Sequence, residues 1–304
     1  MRGTSVRDGP LVPNPFKNSQ PKRNLAFLQV LSARKGAGLP RFGQWKQIAR
    51  VLTLSEKKIL LGAIVGIVLS LLSLGTWYLV AHRVDIPAVG GDYAEALIGE
   101  PQYVNPLYAS ASDVDADLAR LVYSGLVKWT PDEGIVNDLA SDRQVSEDGK
   151  TYTFQIRDNA SFHNGDAVRA RDVVFTIEAI QNPQYRSPLA VSFRGVSVSE
   201  VDEKTVAFTL VEPFAPFLST LTVGILPAGV WGDIAARNAP LASRNLEAIG
   251  SGPYTFAEFA KDKSGNILSY TLRRNADYYG ETPKLERLVF KFYPSATEAM
   301  RALE

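Results

Sequence analysis

Two hydrophobic patterns dominate the chain, and they predict different things. Ile59 to Ala81 is a run of 23 residues without a charge. As a helix it extends roughly 34 Å, enough to cross a hydrocarbon core of about 30 Å. Ser146 to Ile180 is patterned instead. Tyr152, Phe154 and Ile156 alternate with Thr151, Thr153 and Gln155, which predicts a half-buried strand. Asp148-Gly149 and Asn164-Gly165 bracket that strand as tight turns needing a positive φ. Val173, Val174, Ile177 and Ile180 then fall at helical spacing.

The same reading carries across residues 92–304. Strands are predicted at Glu95–Gly99, Leu126–Trp129, Ile267–Arg273 and Leu288–Tyr293, and a hairpin from Val196–Val198 and Thr205–Leu210. A helix is predicted over Asp113–Tyr123, with Val114, Leu118, Leu121 and Val122 on one stripe and Ser112 or Asp113 as cap. Pro213 to Leu218 predicts a short apolar helix, and Gly250-Ser251-Gly252-Pro253 a tight bend feeding a strand. A last helix starts at Ser295 and meets the end of the sequence, so a fragment of a longer protein is expected. Mixed α and β elements rather than an all-β order follow.

Charge changes the picture. Residues 1–58 hold twelve Lys or Arg against two acids, whereas residues 84–304 hold twenty against thirty, so the formal net charge of +1 hides two opposite halves. Basic flanks stay on the cytoplasmic side. The expectation is therefore a cytoplasmic basic tail (1–58), a transmembrane helix (59–81) and an extracytoplasmic main domain. Trp77 and Tyr78 suit the outer interface. A cleaved signal peptide would have a shorter apolar region and a small-x-small site. The sequence Ala81-His82-Arg83-Val84 is a poor one, so an uncleaved anchor is expected. Gly62 and Gly66 form a GxxxG, best read as ordinary membrane-helix glycines.

Residues 1–40 are basic and interrupted by Pro10, Pro13, Pro15, Pro21, Gly36 and Gly38, and little fixed structure is expected there. Trp45, Ile48, Ala49 and Leu52 share one face of a possible interfacial helix. Pro87 to Gly91 reads as a linker. The chain has no cysteine, which removes disulfides, thiolate metal sites and a lipid-modified Cys as tether.

Six colinear blocks then resemble the family-5 extracellular solute-binding proteins, the oligopeptide- and dipeptide-binding subunits of ABC importers. They are Asn105-Pro106-Leu107, Leu121 to Leu126, Leu139 to Phe154, Phe162-His163-Asn164-Gly165-Asp166 with Arg171 to Phe175, Gly250 to Tyr254, and Arg274 to Tyr279. The resemblance implies an α/β, two-lobed periplasmic-binding-protein-like fold of the class II type. Only the first lobe and an inserted subdomain would be present, preceded by the transmembrane helix. By similarity residues 92–125 and 212–304 build the first lobe, residues 126–211 are the insertion, and the second lobe would follow residue 304. One departure is Arg169 at the start of the helix after Asp166, where a capping hydroxyl is usual in the family. Either Asp166 substitutes for it or the helix entry is weaker.

The resemblance further implies a protein that binds a peptide or similar solute and delivers it to ABC permease subunits, with no enzymatic step and no cofactor; the apolar run makes it membrane-anchored, in place of the family's usual signal peptide or lipid anchor. A membrane-tethered sensor or assembly module on the same fold is the alternative. The candidate ligand residues are Ser110, Ala111 and Ser112, after Asn105-Pro106-Leu107, and Phe292 and Tyr293 at the end of the last strand. Two competing readings stay open: Ser112 as a helix cap only, and Phe292 as core. Tyr254 is expected to serve the bend. His163, one of two histidines, is expected to brace its turn. Asp142, Asp148, Asp166 and Asp172 look like turn and helix-start acids rather than a catalytic pair. No phosphate loop, metal-spacing cluster or nucleophile elbow occurs, and the acidic outer half argues against nucleic acid.

Overall fold

A computed structural model describes residues 53–83 and 88–302. Residues 1–52 of the basic tail, with the interfacial helix expected at Trp45, and part of the Pro87 linker lie outside the described residues, while residues 54–58 belong to the long helix that follows. The chain divides into two units, Met1–Asp85 and Ile86–Glu304.

The first unit contains α1 (Leu54–Ala81), which contains the whole uncharged run. Its N-terminus is closed by Glu56, whose carboxylate accepts from both the amide and the hydroxyl of Thr53 at 2.8 Å. This is the Glu half of the capping pattern in which a Ser/Thr is followed three residues later by Glu. No residue of the helix is buried, and its apolar side chains point in all directions rather than along one stripe. A helix apolar all round needs an apolar surrounding. Among the described residues it is the one helix long and apolar enough to cross a membrane, a property that a signal sequence shares.

The second unit is built on two sheets. The outer sheet has the order β1-β10-β9-β8, from β1 (Asp92–Ile98), β8 (Tyr254–Lys261), β9 (Ile267–Arg274) and β10 (Arg287–Tyr293). β1 and β10 run parallel, and the other pairs are antiparallel. The middle sheet is fully antiparallel with the order β4-β5-β7-β6, from β4 (Ala140–Val145), β5 (Thr151–Ile156), β6 (Val196–Glu200) and β7 (Thr205–Leu210). A hairpin of β2 (Val127–Thr130) and β3 (Gly134–Asn137) leads into it. Everything between β1 and β8 therefore leaves the outer sheet and returns to it.

The patterned segment folds as its periodicity predicts. Tyr152, Phe154 and Ile156 are buried on β5, and Gly149 and Gly165 both take positive φ, at 68° and 89°. The helix α3 (Ala170–Gln181) buries Val173, Ile177 and Ile180. Phe154 and Phe208 meet edge to face at 5.8 Å, and Phe208 meets Phe217 at 5.6 Å. On the outer sheet, Tyr270, Leu272, Leu288 and Phe290 form the buried face.

The start of α3 is solved differently from the expectation. Arg169 occupies the cap position but has no acceptor to offer, and its guanidinium instead meets Glu203. Asp166 is engaged with Asn164. Asp172 does the work from inside the first turn: one carboxylate oxygen accepts from the Arg169 amide, the other from the Ala228 amide, both at 2.9 Å. Similarly, α2 (Asp113–Val122) has Ser112 at its cap without a side-chain bond, while Asp115 turns back to accept from the amides of Gln102 and Tyr103. Burial pushes both Asp115 and Asp172 up from the usual carboxylate range, and these amide bonds oppose the shift.

Candidate functional site

Asn105 organises the loop that precedes α2. It is fully buried. Its Oδ1 accepts from the Leu107 amide and its Nδ2 donates to Asn245 Oδ1, each at 2.9 Å. Its carbonyl accepts from the amides of Tyr108 and Ala109, which winds Ala109–Ala111 into a 3-10 turn. Pro106 follows with a fixed φ. Ser187 ties this loop to the middle region: its hydroxyl donates to the Leu107 carbonyl at 2.6 Å and accepts from the Leu189 amide. The phenols of Tyr103, Tyr108 and Tyr185 lie behind it, and burial pushes Tyr108 up to about 12.

These ties hold open a cleft of ≈ 920 Å³. One wall is the loop and the outward face of α2, with Ser110, Asp113, Ala116 and Arg120. The facing wall comes from the middle region, through Leu189, Val191, Phe193 and Arg194. Phe214, on the chain leaving β7, closes one side, and Thr222 to Gly224 form the floor. At Gly224 an added Cβ would lie 2.5 Å from that of Tyr123, so the floor passes beneath the loop only because the residue is glycine. Val191, Val211 and Phe214 are each more than half exposed at the rim. The volume is in the range of small-molecule sites, and apolar walls with a few polar groups are the usual make-up of one. Among the described residues no group of three or more His, Cys, Asp or Glu is placed to hold a metal ion.

Of the predicted ligand residues, Ser110 is exposed and lines the cleft. Ala111 is exposed beside it, and Ser112 is half-buried at the start of α2; neither contributes to the lining. Phe292 and Tyr293 lie apart from the cleft. Phe292 is 7% exposed and belongs to the core. Tyr293 is half-buried, and its carbonyl accepts from the Gly99 amide. Leu189, Val191, Thr222 and Val223 were not among the residues singled out from the sequence, because each comes from an irregular segment with no period to mark its exposed face. The signal that could have found them is the serine-proline pair at 187 and 188, a turn start beside an apolar run.

His163 braces the junction between the middle region and the 250–252 bend. Its Nδ1 accepts from the Gly250 amide at 3.2 Å and its Nε2 stands 3.1 Å from the Gly252 carbonyl, which fixes a neutral ring with the proton on Nε2. Its own amide donates to the Gly250 carbonyl at 2.8 Å. Burial lowers its pKa to about 4. The bend is equally tight on its other side. A Cβ at Gly250 would lie 2.0 Å from the Val122 carbonyl oxygen, at the end of α2.

A mixed α/β lobe with a second sheet inserted in its chain is the architecture of the periplasmic-binding-protein type. Residues 134–304 match the model of the bacterial extracellular solute-binding proteins, family 5 (middle region), and the chain belongs to that family. It is similar to the dipeptide-binding protein of Escherichia coli (strain K12), 31% identical over 221 residues that cover 66% of this chain and 40% of the relative. Among solved structures it is similar to the oligopeptide-binding protein AppA of Bacillus subtilis in complex with a nonapeptide, with a TM-score of 0.66, 27% identity, and 72% and 43% of the two chains covered. NikZ of Campylobacter jejuni in complex with Ni(L-His) gives a TM-score of 0.62 at 30% identity, covering 70% and 41%. The chain thus spans about two fifths of the length of the relatives it matches.

Proposed function

We propose that this chain is a membrane-anchored, extracytoplasmic binding protein for short peptides, which it hands to the permease subunits of an ABC importer. The observation that carries the reading is the ≈ 920 Å³ cleft at Ser110, walled by a helix face on one side and by the middle region on the other. Two of the similar proteins, by their names, bind a dipeptide and a nonapeptide. The peptide would lie along the 109–112 loop, with Ser110 offering a hydroxyl and the rim residues Val191 and Phe214 meeting its side chains. Main-chain hydrogen bonds with tolerant side-chain pockets are the usual way to hold many peptides in one site.

The domain division follows the same reading. Residues 126–211 form the inserted subdomain and residues 92–125 with 212–304 the lobe that carries it. Helix α1 is the anchor, and the basic residues before it stay on the cytoplasmic side. The test is calorimetric titration of the whole chain in detergent with short peptides, against Thr222→Trp, which fills the exposed cleft floor. Peptide-dependent heat that disappears in Thr222→Trp supports the reading. The same heat in both proteins, or none in either, overturns it.

A further inference from the structure

We propose that the open face of the outer sheet carries a second site, for a phosphate-type oxyanion, between Arg273 and Arg287. The two arginines are direct cross-strand partners on β9 and β10. They line a niche of ≈ 350 Å³ together with Thr255, Glu258 and Thr271. Residues 270, 272, 288 and 290 point into the core, so 273 and 287 share the opposite face, where both are exposed although Thr271 between them and the sheet centre is buried. Like charges directly opposite one another in an antiparallel pair destabilise it. The arrangement therefore calls for a negative group.

The described residues supply only part of one. Asp92 stands 3.5 Å from Arg287 Nε, in register beside it on β1. Arg273 has no ion pair or side-chain hydrogen bond among the described residues. The Thr255 hydroxyl, which donates to the Arg273 carbonyl at 3.2 Å, fixes the backbone beneath that guanidinium without neutralising it. Lys291 lies four residues along β10 on the same face. Three cations against Asp92 and Glu258 leave this face positive within a region that holds thirty acids to twenty bases. Two guanidinium forks side by side suit an oxyanion held by parallel N–H···O bonds, a geometry that lysine cannot reproduce. The shared chemistry is a phosphate group, either free in solution or in a lipid head.

The test follows the Arg Nε–Hε signals of the whole chain by NMR in neutral maltoside micelles at constant ionic strength. One arm adds inorganic phosphate, and the other adds phosphatidylglycerol to the micelles without free phosphate. Movement of both arginine signals in the first arm identifies a soluble anion, and in the second arm alone a lipid head. Arg273→Lys should weaken the response about tenfold and Arg273→Ser abolish it. In phosphate-free buffer Arg273→Ser should leave the melting temperature unchanged or raised, because it relieves the cation pair. Arginine signals that stay still in both arms, or a melting temperature that falls in Arg273→Ser without phosphate, would overturn the proposal.

Discussion

The middle sheet and the cleft beside it are made by opposite strategies. On β5 and β7, Tyr152, Phe154, Ile156, Val206, Phe208 and Leu210 are all buried, spent against Phe217 and α3. In the cleft, Ser110, Val191, Phe214 and Thr222 come from four separate stretches of chain, and each leaves a face uncovered. A regular strand or helix repeats its instruction every two or three to four residues. A binding surface is assembled from single residues at the ends of several elements, so it has no repeat. The most legible segment of this sequence, residues 146–180, therefore contributes nothing to the cleft lining.

Four substitutions separate the two regions. Phe154→Ala removes a fully buried ring and should cost about 3–5 kcal/mol in denaturant unfolding of the whole chain in detergent. Peptide affinity of the remaining folded fraction should not change; a loss of affinity at full folding would break the comparison. Gly250→Ala forces a methyl into the Val122 carbonyl oxygen and should cost about 3 kcal/mol, measured in the same way. Wild-type stability in Gly250→Ala would mean that the bend is far looser than its contacts imply.

His163 gives a smaller effect with a defined pH window. Its folded-state value, about 4, lies below the ordinary 6.5, so the unfolded chain takes the proton first. Its contribution is complete above pH 6.5 and is lost as the pH falls towards 4, by about 2–3 kcal/mol. His163→Gln keeps a donor and an acceptor but cannot titrate. The difference between the two unfolding curves over that window isolates the histidine, and parallel curves would exclude it. Least of all, Ser110→Ala should move stability by no more than about 0.5 kcal/mol, as for an exposed position, while weakening peptide binding measurably. An unchanged titration would remove Ser110 from the site.

Much of the fold was readable in advance. The alternation in β5, the turns at Gly149 and Gly165, the stripe on α2 and the uncharged length of α1 each state their structure locally. β4 was not readable, since Ser141 to Gln144 are all polar. It is an outer strand of its sheet with a register shift between Ala140 and Asp142, so only pairing with β5 defines it. The helix starts were half readable. An acid in the first turn was evident at Asp172 but not at Asp115, and the partners of both, the amides of Ala228 and Gln102, depend on how distant segments pack. Within the candidate site the loop at Ser110 was legible from Asn105-Pro106-Leu107, whose side chain and ring fix it locally. Its facing wall was not, because Val191 and Arg194 are brought there by the hydrogen bond from Ser187 to Leu107.

The parallel pairing of β1 with β10 also sets a timetable. Asp92 and Arg287 are neighbours in the sheet but 195 positions apart in sequence. At roughly 5–20 residues per second, the ribosome makes β10 some 10–40 s after β1 has been synthesised. During that interval β1 waits as a solitary strand while the middle sheet, whose pairings all fall within residues 140–210, has everything it needs to form. Closure of such a distant contact is slow as well as late. The expected order of folding is therefore inside out: the middle sheet forms first, and the outer sheet is completed around it.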